Sequence, residues 1–198
     1  MESGGGRPYR QGVRAHAAAE TAERILDAAA AVFWERPSDQ ISLEEVAVRA
    51  EVSVRTVIRR FGGKEGLLAA GVAREVQRTR AQRDLAPVGD VSAAVAVLVE
   101  HYETTGDRVL KLLAEEVRVP GLTDVVDRGR RLHREWCTRV FAPTVADLGG
   151  VERRRRLAQL VAVCDVYTWK LLRRDAGLSR RQTELALVEL LTLLVEGT

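Results

Sequence analysis

The sequence predicts an all-α fold, and three observations carry that prediction. Apolar residues recur at helical spacing in nearly every segment from residue 17 onward. No stretch alternates Val, Ile or Thr with polar residues as a half-buried strand would. Gly and Pro stand between the periodic segments, and Ser or Thr ahead of several, as helix stops and starts require. With 198 residues, 46% hydrophobic and 30% charged, the chain has enough apolar surface for a core. At roughly 100–200 residues per domain it is one domain, or a small module joined to a larger one.

Residues 1–16 read as a flexible basic arm, because Gly4, Gly5, Gly6, Pro8 and Gly12 break any helix. A first helix covers 21–35, capped by Thr21, with Ile25, Ala29, Val32 and Phe33 on one face; Pro37, Ser38 and Asp39 end it. Ser42 and Glu45 form a capping box that starts a short helix to Ala50, each side chain satisfying the other's free backbone donor. Ser53 caps the next helix, 54–61, whose apolar stripe is Val54, Val57, Ile58 and Phe61. Gly62-Gly63 stops it, and Lys64 opens a long helix to about Arg83 carrying Leu67, Leu68, Val72 and Val76. Pro87 and Gly89 mark a joint. Beyond it helices are expected near 91–104, 107–117, 122–147, 152–176 and 180–196, separated by Gly106, Pro120-Gly121, Gly149-Gly150 and Gly177.

The charge is unevenly spread. Of the net +3, the whole excess falls in residues 1–83, which hold 14 Lys and Arg against 11 Asp and Glu. Arg55, Arg59, Arg60 and Lys64 form a stretch without an acid, the footprint expected for a polyanion partner. These residues belong to a pair of short helices joined by Glu51-Val52-Ser53, the size of a helix-turn-helix, whose second helix enters the DNA major groove. Helices this short need support from their neighbours. Ala47, Val52 and Val57 are placed to provide it, which leaves Arg55, Thr56, Arg59 and Arg60 outward. Arginine forks onto guanine or phosphate, and threonine bonds phosphate or touches a thymine methyl. Lys64 at a helix N-terminus strengthens a phosphate site, and Ser42 and Ser53 stand at the other two helix starts. Arg7, Arg10 and Arg14 on the arm are able to reach an adjacent minor groove.

Here the chain resembles the tetracycline-repressor (TetR) family of bacterial regulators. The residues that carry the likeness are Glu23-Arg24-Ile25-Leu26-Asp27-Ala28-Ala29, Ser42-Leu43-Glu44-Glu45-Val46-Ala47, Val52-Ser53, and Phe61-Gly62-Gly63-Lys64-Glu65-Gly66-Leu67-Leu68. The resemblance implies a three-helix DNA-binding head over 17–66, a helical regulatory, ligand-binding and dimerisation body over 67–198, and a homodimer on a palindromic operator in double-stranded DNA. It also implies a response to a small-molecule inducer, most simply as a repressor. Two positions depart from the family's pattern: Ile58 stands where tyrosine is common, and Glu51 where glycine is usual in the turn. If the backbone at 51 needs positive φ, glutamate costs about 1 kcal/mol relative to glycine.

In the body, Leu157, Leu160, Cys164, Tyr167 and Leu171 follow a 3-4-3-4 spacing, and the last helix is apolar almost all round. A helix greasy on two sides must bury both, so Leu157, Leu160, Tyr167, Leu171, Leu187, Leu191 and Leu194 are expected at a dimer interface. Leu98, Tyr102, Leu113, Trp136, Val140 and Cys164 are candidates for a ligand pocket, and equally for ordinary core. The run from Arg153 to Arg156 reads as a solvated collar. His133 and Cys137 lie four apart, a spacing two metal ligands use, but nothing nearby supplies a third and fourth, so no metal and no cofactor is expected.

No catalytic motif is present, neither a nucleophile elbow nor Cys-x-x-Cys, His-Glu-x-x-His or a phosphate loop. No enzyme is expected. The two cysteines are too few for a disulfide framework, and no apolar run approaches the roughly 18 residues of a membrane span. Together these give the expectation of a cytoplasmic protein without membrane contact. The alternative to a regulator is a helical ligand- or partner-binding protein that keeps a vestigial head.

Overall fold

The computed structural model describes residues 7–35, 41–118 and 122–197, with backbone alone for 7–15. Among the described residues every regular element is helical and there is no strand. The chain divides into two compact units, Met1–Glu75 and Val76–Thr198.

The first unit is built on α1 (Arg7–Glu35), α2 (Leu43–Arg49), α3 (Val54–Phe61) and the start of α4 (Lys64–Arg83). Its core joins Ile25 and Val32 of α1 to Val46 and Ala47 of α2, Val57 of α3 and Leu67 of α4, all buried. Val52 packs half-buried against it, so Ala47, Val52 and Val57 make the supporting contacts expected of them. Two readings change. Helix α1 begins at Arg7, not Thr21, and passes through Gly12. Pro8 lies in its first turn, where no intrahelical N–H bond is lost. A single glycine costs only about 1 kcal/mol against the alanine-rich run that follows. Residues 7–16 are therefore helical, which replaces the Gly-broken arm over that stretch; 1–6 and the helix stop at 37–39 lie outside the described residues. Ile58 is 47% exposed rather than part of the buried stripe of α3.

The second unit contains α5 (Val91–Glu115), α6 (Leu122–Val140), α7 (Ala142–Val145), α8 (Gly150–Val163), α9 (Val166–Lys170) with a π-helical turn at Leu171–Asp175, and α10 (Arg180–Glu196). Helix α5 is central, touching α6, α9 and α10. Asp90 caps it by accepting from the Ala93 N–H at 2.9 Å, and Ser179 and Gln182 form a full capping box on α10. The core gathers Leu98, Val99, Trp136, Phe141, Leu160, Trp169, Leu187 and Leu191.

Three expected boundaries move. Gly106 does not divide 91–117: α5 runs through it, and the missing side chain admits the Trp169 ring instead, since a Cβ there would lie 2.5 Å from it. The span 122–147 breaks at Phe141, because Pro143 has no N–H to continue the helical ladder. The span 152–176 breaks at Cys164 and Asp165, where the Asp165 carboxylate accepts from the Tyr167 N–H at 2.9 Å and restarts the helix as α9. No helix among the described residues is long and apolar enough to cross a membrane.

Candidate nucleic-acid interface

The turn between α2 and α3 is closed by backbone bonds from Glu51 N–H to the Val48 carbonyl (3.2 Å) and from Val52 N–H to the Ala47 carbonyl (2.9 Å). Reaching them places Glu51 at φ 56°, the left-handed region. The position does need what glycine adopts freely, and glutamate holds it at a cost of about 1 kcal/mol. Ser42 accepts from Glu45 N–H at 3.2 Å and so starts α2. Ser53 accepts from Thr56 N–H at 3.2 Å and starts α3, and its hydroxyl also meets that of Thr56 at 2.9 Å. Gly62, at φ 78°, ends α3. The first turn of α4 then sits so close to the end of α3 that a Cβ on Gly66 would lie 1.7 Å from the Phe61 carbonyl oxygen. These contacts fix the outward direction of α3.

The charged residues divide into two groups. Arg55, Arg59 and Lys64 are exposed and make no ion pair among the described residues. Lys64 is the first residue of α4, where free backbone N–H groups add to its charge. Arg60 is different, since its guanidinium donates to the Ala18 carbonyl on α1 and is tied to the head's own backbone. Ser42 and Thr56 are half-buried, with their oxygens engaged at the caps. Four acids of the same unit are matched by other arginines, while Glu44, Glu51 and Glu65 are exposed and make no ion pair among the described residues. Arg49 bridges Glu35 (2.6 Å) and Glu45 (2.9 Å), and Arg74 bridges Glu23 (3.0 Å) and Asp27 (2.8 Å). Arg55, Arg59 and Lys64 take no part in these pairs. No local pattern in the sequence signals the Arg74 clamp or the Arg60 tie, because their partners lie on α1, far away in the chain.

In the body, Leu98, Tyr102, Trp136, Val140 and Cys164 are all buried in one core, with Leu113 half-buried against it. The polar tips are occupied: Tyr102 donates to the Cys164 carbonyl at 3.0 Å, and Trp136 Nε1 to the Arg83 carbonyl at 2.9 Å. A separate groove of about 420 Å³ is lined by Arg131, Arg134, Glu135, Thr138 and Arg139, none of them among the expected pocket residues. Cys137 Sγ and His133 Nε2 are 3.9 Å apart, and no group of metal-ligating residues occurs among the described residues.

Of the residues expected at a dimer face, Tyr167 and Leu171 are exposed and Leu194 is half-buried. Leu157, Leu160, Leu187 and Leu191 are instead buried in the body's own core, since their stripes face inward toward α5, α8 and α10. The apolar surface α10 exposes is Leu185, Leu190 and Leu193. Arg153, Arg154 and Arg155 are exposed, and Arg156 donates to the Leu194 carbonyl.

Residues 25–70 match the family model described as bacterial regulatory proteins, tetR family. Over 109 residues the chain is 31% identical to the HTH-type transcriptional repressor KstR of Mycolicibacterium smegmatis, a match covering 55% of this chain and 50% of that protein. The chain thus spans about half the length of the curated relative it matches. Among solved structures, a transcriptional regulator from Rhodococcus sp. Rha1 superposes with a TM-score of 0.67 at 22% identity, over 89% of this chain and 96% of that one. FadR from Bacillus subtilis, in complex with stearoyl-CoA, does so with a TM-score of 0.61 at 18% identity, over 89% and 98%. At these identities the structural likeness establishes the all-α fold, and the family match establishes the resemblance of the head.

Proposed function

We propose that this chain, whose residues 25–70 match the tetR-family model, is a transcriptional repressor that binds a two-fold-symmetric operator as a homodimer and is released by a small molecule. The observation that carries the reading is the pairing of exposed Arg55 and Arg59 on α3 with Lys64 at the start of α4, none of them ion-paired among the described residues. Arg55 and Thr56 sit in the first turn of α3 and are assigned to base edges. Arg59 and Lys64 are assigned to phosphates, with Ser42 and Ser53 beside the backbone. Arg60 is assigned a lesser share because Ala18 holds it.

The dimer reading rests on unpartnered apolar surface: Tyr167, Leu171, Leu185, Leu190 and Leu193 are each more than two-fifths exposed on α9, the π turn and α10. Two heads then read half-sites about 34–36 Å apart. An effector acts by favouring the spacing that does not fit, and shifts the equilibrium only by its difference in affinity for the two states. Such a regulator works in the cytoplasm, with the chromosome, and performs no catalytic step.

Selection from a random-sequence duplex library tests the proposal. The expected result is a palindromic consensus whose preference relaxes with Arg55→Ala or Thr56→Ala, while Lys64→Ala weakens all sequences alike. No sequence-preferring complex at moderate salt would leave a helical binding protein whose head is scaffold only.

A further inference from the structure

A positive charge is buried in the body without an acid to match it. Arg83, the last residue of α4, is 4% exposed, and no carboxylate among the described residues lies within ion-pair distance of it. Its Nη1 donates to His133 Nδ1 at 2.8 Å, while its buried Nε has no hydrogen-bond partner. The guanidinium lies over the rings of Tyr102 and Trp136, at 5.4 and 5.3 Å. Ring faces offset part of the cost of burying such a charge. A guanidinium taken out of water still needs an anion, or an acceptor for each of its N–H groups.

The side chains around Arg83 do not meet that need. Arginine only donates, so His133 accepts at Nδ1 and keeps its proton on Nε2, which donates to the Val161 carbonyl at 3.1 Å. His101, also 4% exposed, bonds Gln82 Oε1 through Nδ1 at 3.0 Å and meets the Thr105 hydroxyl through Nε2 at 3.2 Å. Burial foremost, then Arg83 and His133, keeps this ring neutral. Tyr102 is kept neutral by burial, and its hydroxyl is spent on the Cys164 carbonyl. Cys137 Sγ lies 3.9 Å from His133 Nε2 and makes no hydrogen bond to the guanidinium. The charge of Arg139 is answered by Asp84 at 3.5 Å. Meanwhile Trp136 Nε1 and Arg139 Nη2 both donate to the Arg83 carbonyl, at 2.9 and 3.1 Å. The cation is thus fixed in place beforehand, which spares a ligand the cost of ordering it.

We propose that the body binds an apolar monocarboxylic acid, whose carboxylate takes the Nε edge of Arg83 and whose remainder lies among the apolar side chains beside Tyr102 and Trp136. The planar guanidinium fork matches a carboxylate in shape and in charge. A neutral ligand would leave the cation bare. A dianion would bring a second charge that nothing in this cluster answers, since Arg83 is its one unmatched cation among the described residues. Gln82, Thr105 and His133 border the cluster and are half-buried, so the acid reaches Arg83 when these side chains turn. The inference names the class of the small molecule in the proposed function. It rests on that reading for any effect on DNA, and not for binding.

Full-length protein is titrated with hexanoate, octanoate and 3-phenylpropionate, each beside its primary amide, by equilibrium dialysis. Saturable binding of the acid is expected, about tenfold or more tighter than the amide, as a charge-assisted hydrogen bond requires. Arg83→Met keeps the stem without the charge and should bring acid and amide to within about twofold of each other. A diazirine-bearing 3-phenylpropionate should cross-link the parent protein on the peptides that hold Tyr102 or Trp136, which locates the site even if the variant does not fold. Acids that fail to bind at millimolar concentration, or bind no better than their amides, would overturn the proposal. So would a preference that survives Arg83→Met, or cross-links confined to other peptides. Release of a selected operator by the same acids would join the inference to the proposed function. Binding without release would leave the inference standing and count against release by this class of molecule.

Discussion

Replacing Gly106 with alanine puts the packing of the body to a quantitative test. In an open helix middle the change stabilises by about 0.5–1 kcal/mol, because alanine loses less chain entropy. At Gly106 the new Cβ would lie 2.5, 2.7 and 3.0 Å from three carbons of the Trp169 ring. Carbon pairs are comfortable at about 3.5–4.0 Å, so the ring or α5 must give by about 1 Å. Trp169 has little freedom to do so: it is 1% exposed, its Nε1 donates to Glu103 Oε1 at 3.1 Å, and the Arg174 guanidinium covers it at 4.6 Å. Overpacking of this kind costs about 1–3 kcal/mol, leaving a net loss of about 0.5–2 kcal/mol after the helix gain. Gly129, inside α6, provides the control, since nothing lies within 4 Å of its Cβ position and Gly129→Ala should stabilise by about 0.5–1 kcal/mol. Urea denaturation at one fixed protein concentration measures both. A Gly106→Ala protein as stable as its parent, beside a stabilised Gly129→Ala, would refute the close approach of α5 to Trp169.

Three further outcomes are expected. Glu51→Gly relieves the left-handed strain at φ 56° and should raise the head's stability by up to about 1 kcal/mol, read in thermal unfolding of the full chain. Ser53→Ala removes the cap on α3 and should cost about 0.5–2 kcal/mol, with a matching fall in DNA affinity as α3 frays. His101 gives a pH dependence. Burial foremost, then the Arg83 charge, lowers its pKa to about 3, so the folded chain keeps it neutral while the unfolded chain protonates below about 6.5. Its contribution is complete above that pH and is lost on acidification toward 3, by about 1.4 kcal/mol per pH unit. Denaturant midpoints should fall accordingly between pH 7 and 5, and His101→Gln should flatten that slope.

Much of the head is legible in the sequence because its signals are local. Ser42, Ser53 and Gly62 act within a few residues of themselves, and the structure places them at the ends of α2 and α3. The body is less legible for the same reason turned round. Gly106 reads as a helix stop, yet its purpose is set by Trp169, more than sixty positions later. Leu187 and Leu191 look available to a partner until α5 and α8 are seen to cover them. Cap chemistry at Asp165 outweighs an unbroken apolar stripe from Leu157 to Leu171. At the candidate interface, residue type alone groups Arg60 with Arg55 and Arg59; only the fold brings the Ala18 carbonyl to it. Arg83 carries no sequence signal at all, since its meaning lies in what surrounds it.

Regulation by this chain requires that the exposed cations of α3 and α4 meet a duplex. The most direct measurement is the salt dependence of affinity for a selected operator, compared between the parent and the double variant Arg59→Ala, Lys64→Ala. Weaker binding at every salt concentration is expected, with the slope of log K against log salt shallower by about 0.9 for each phosphate contact removed. Superimposable isotherms with equal slopes would contradict it.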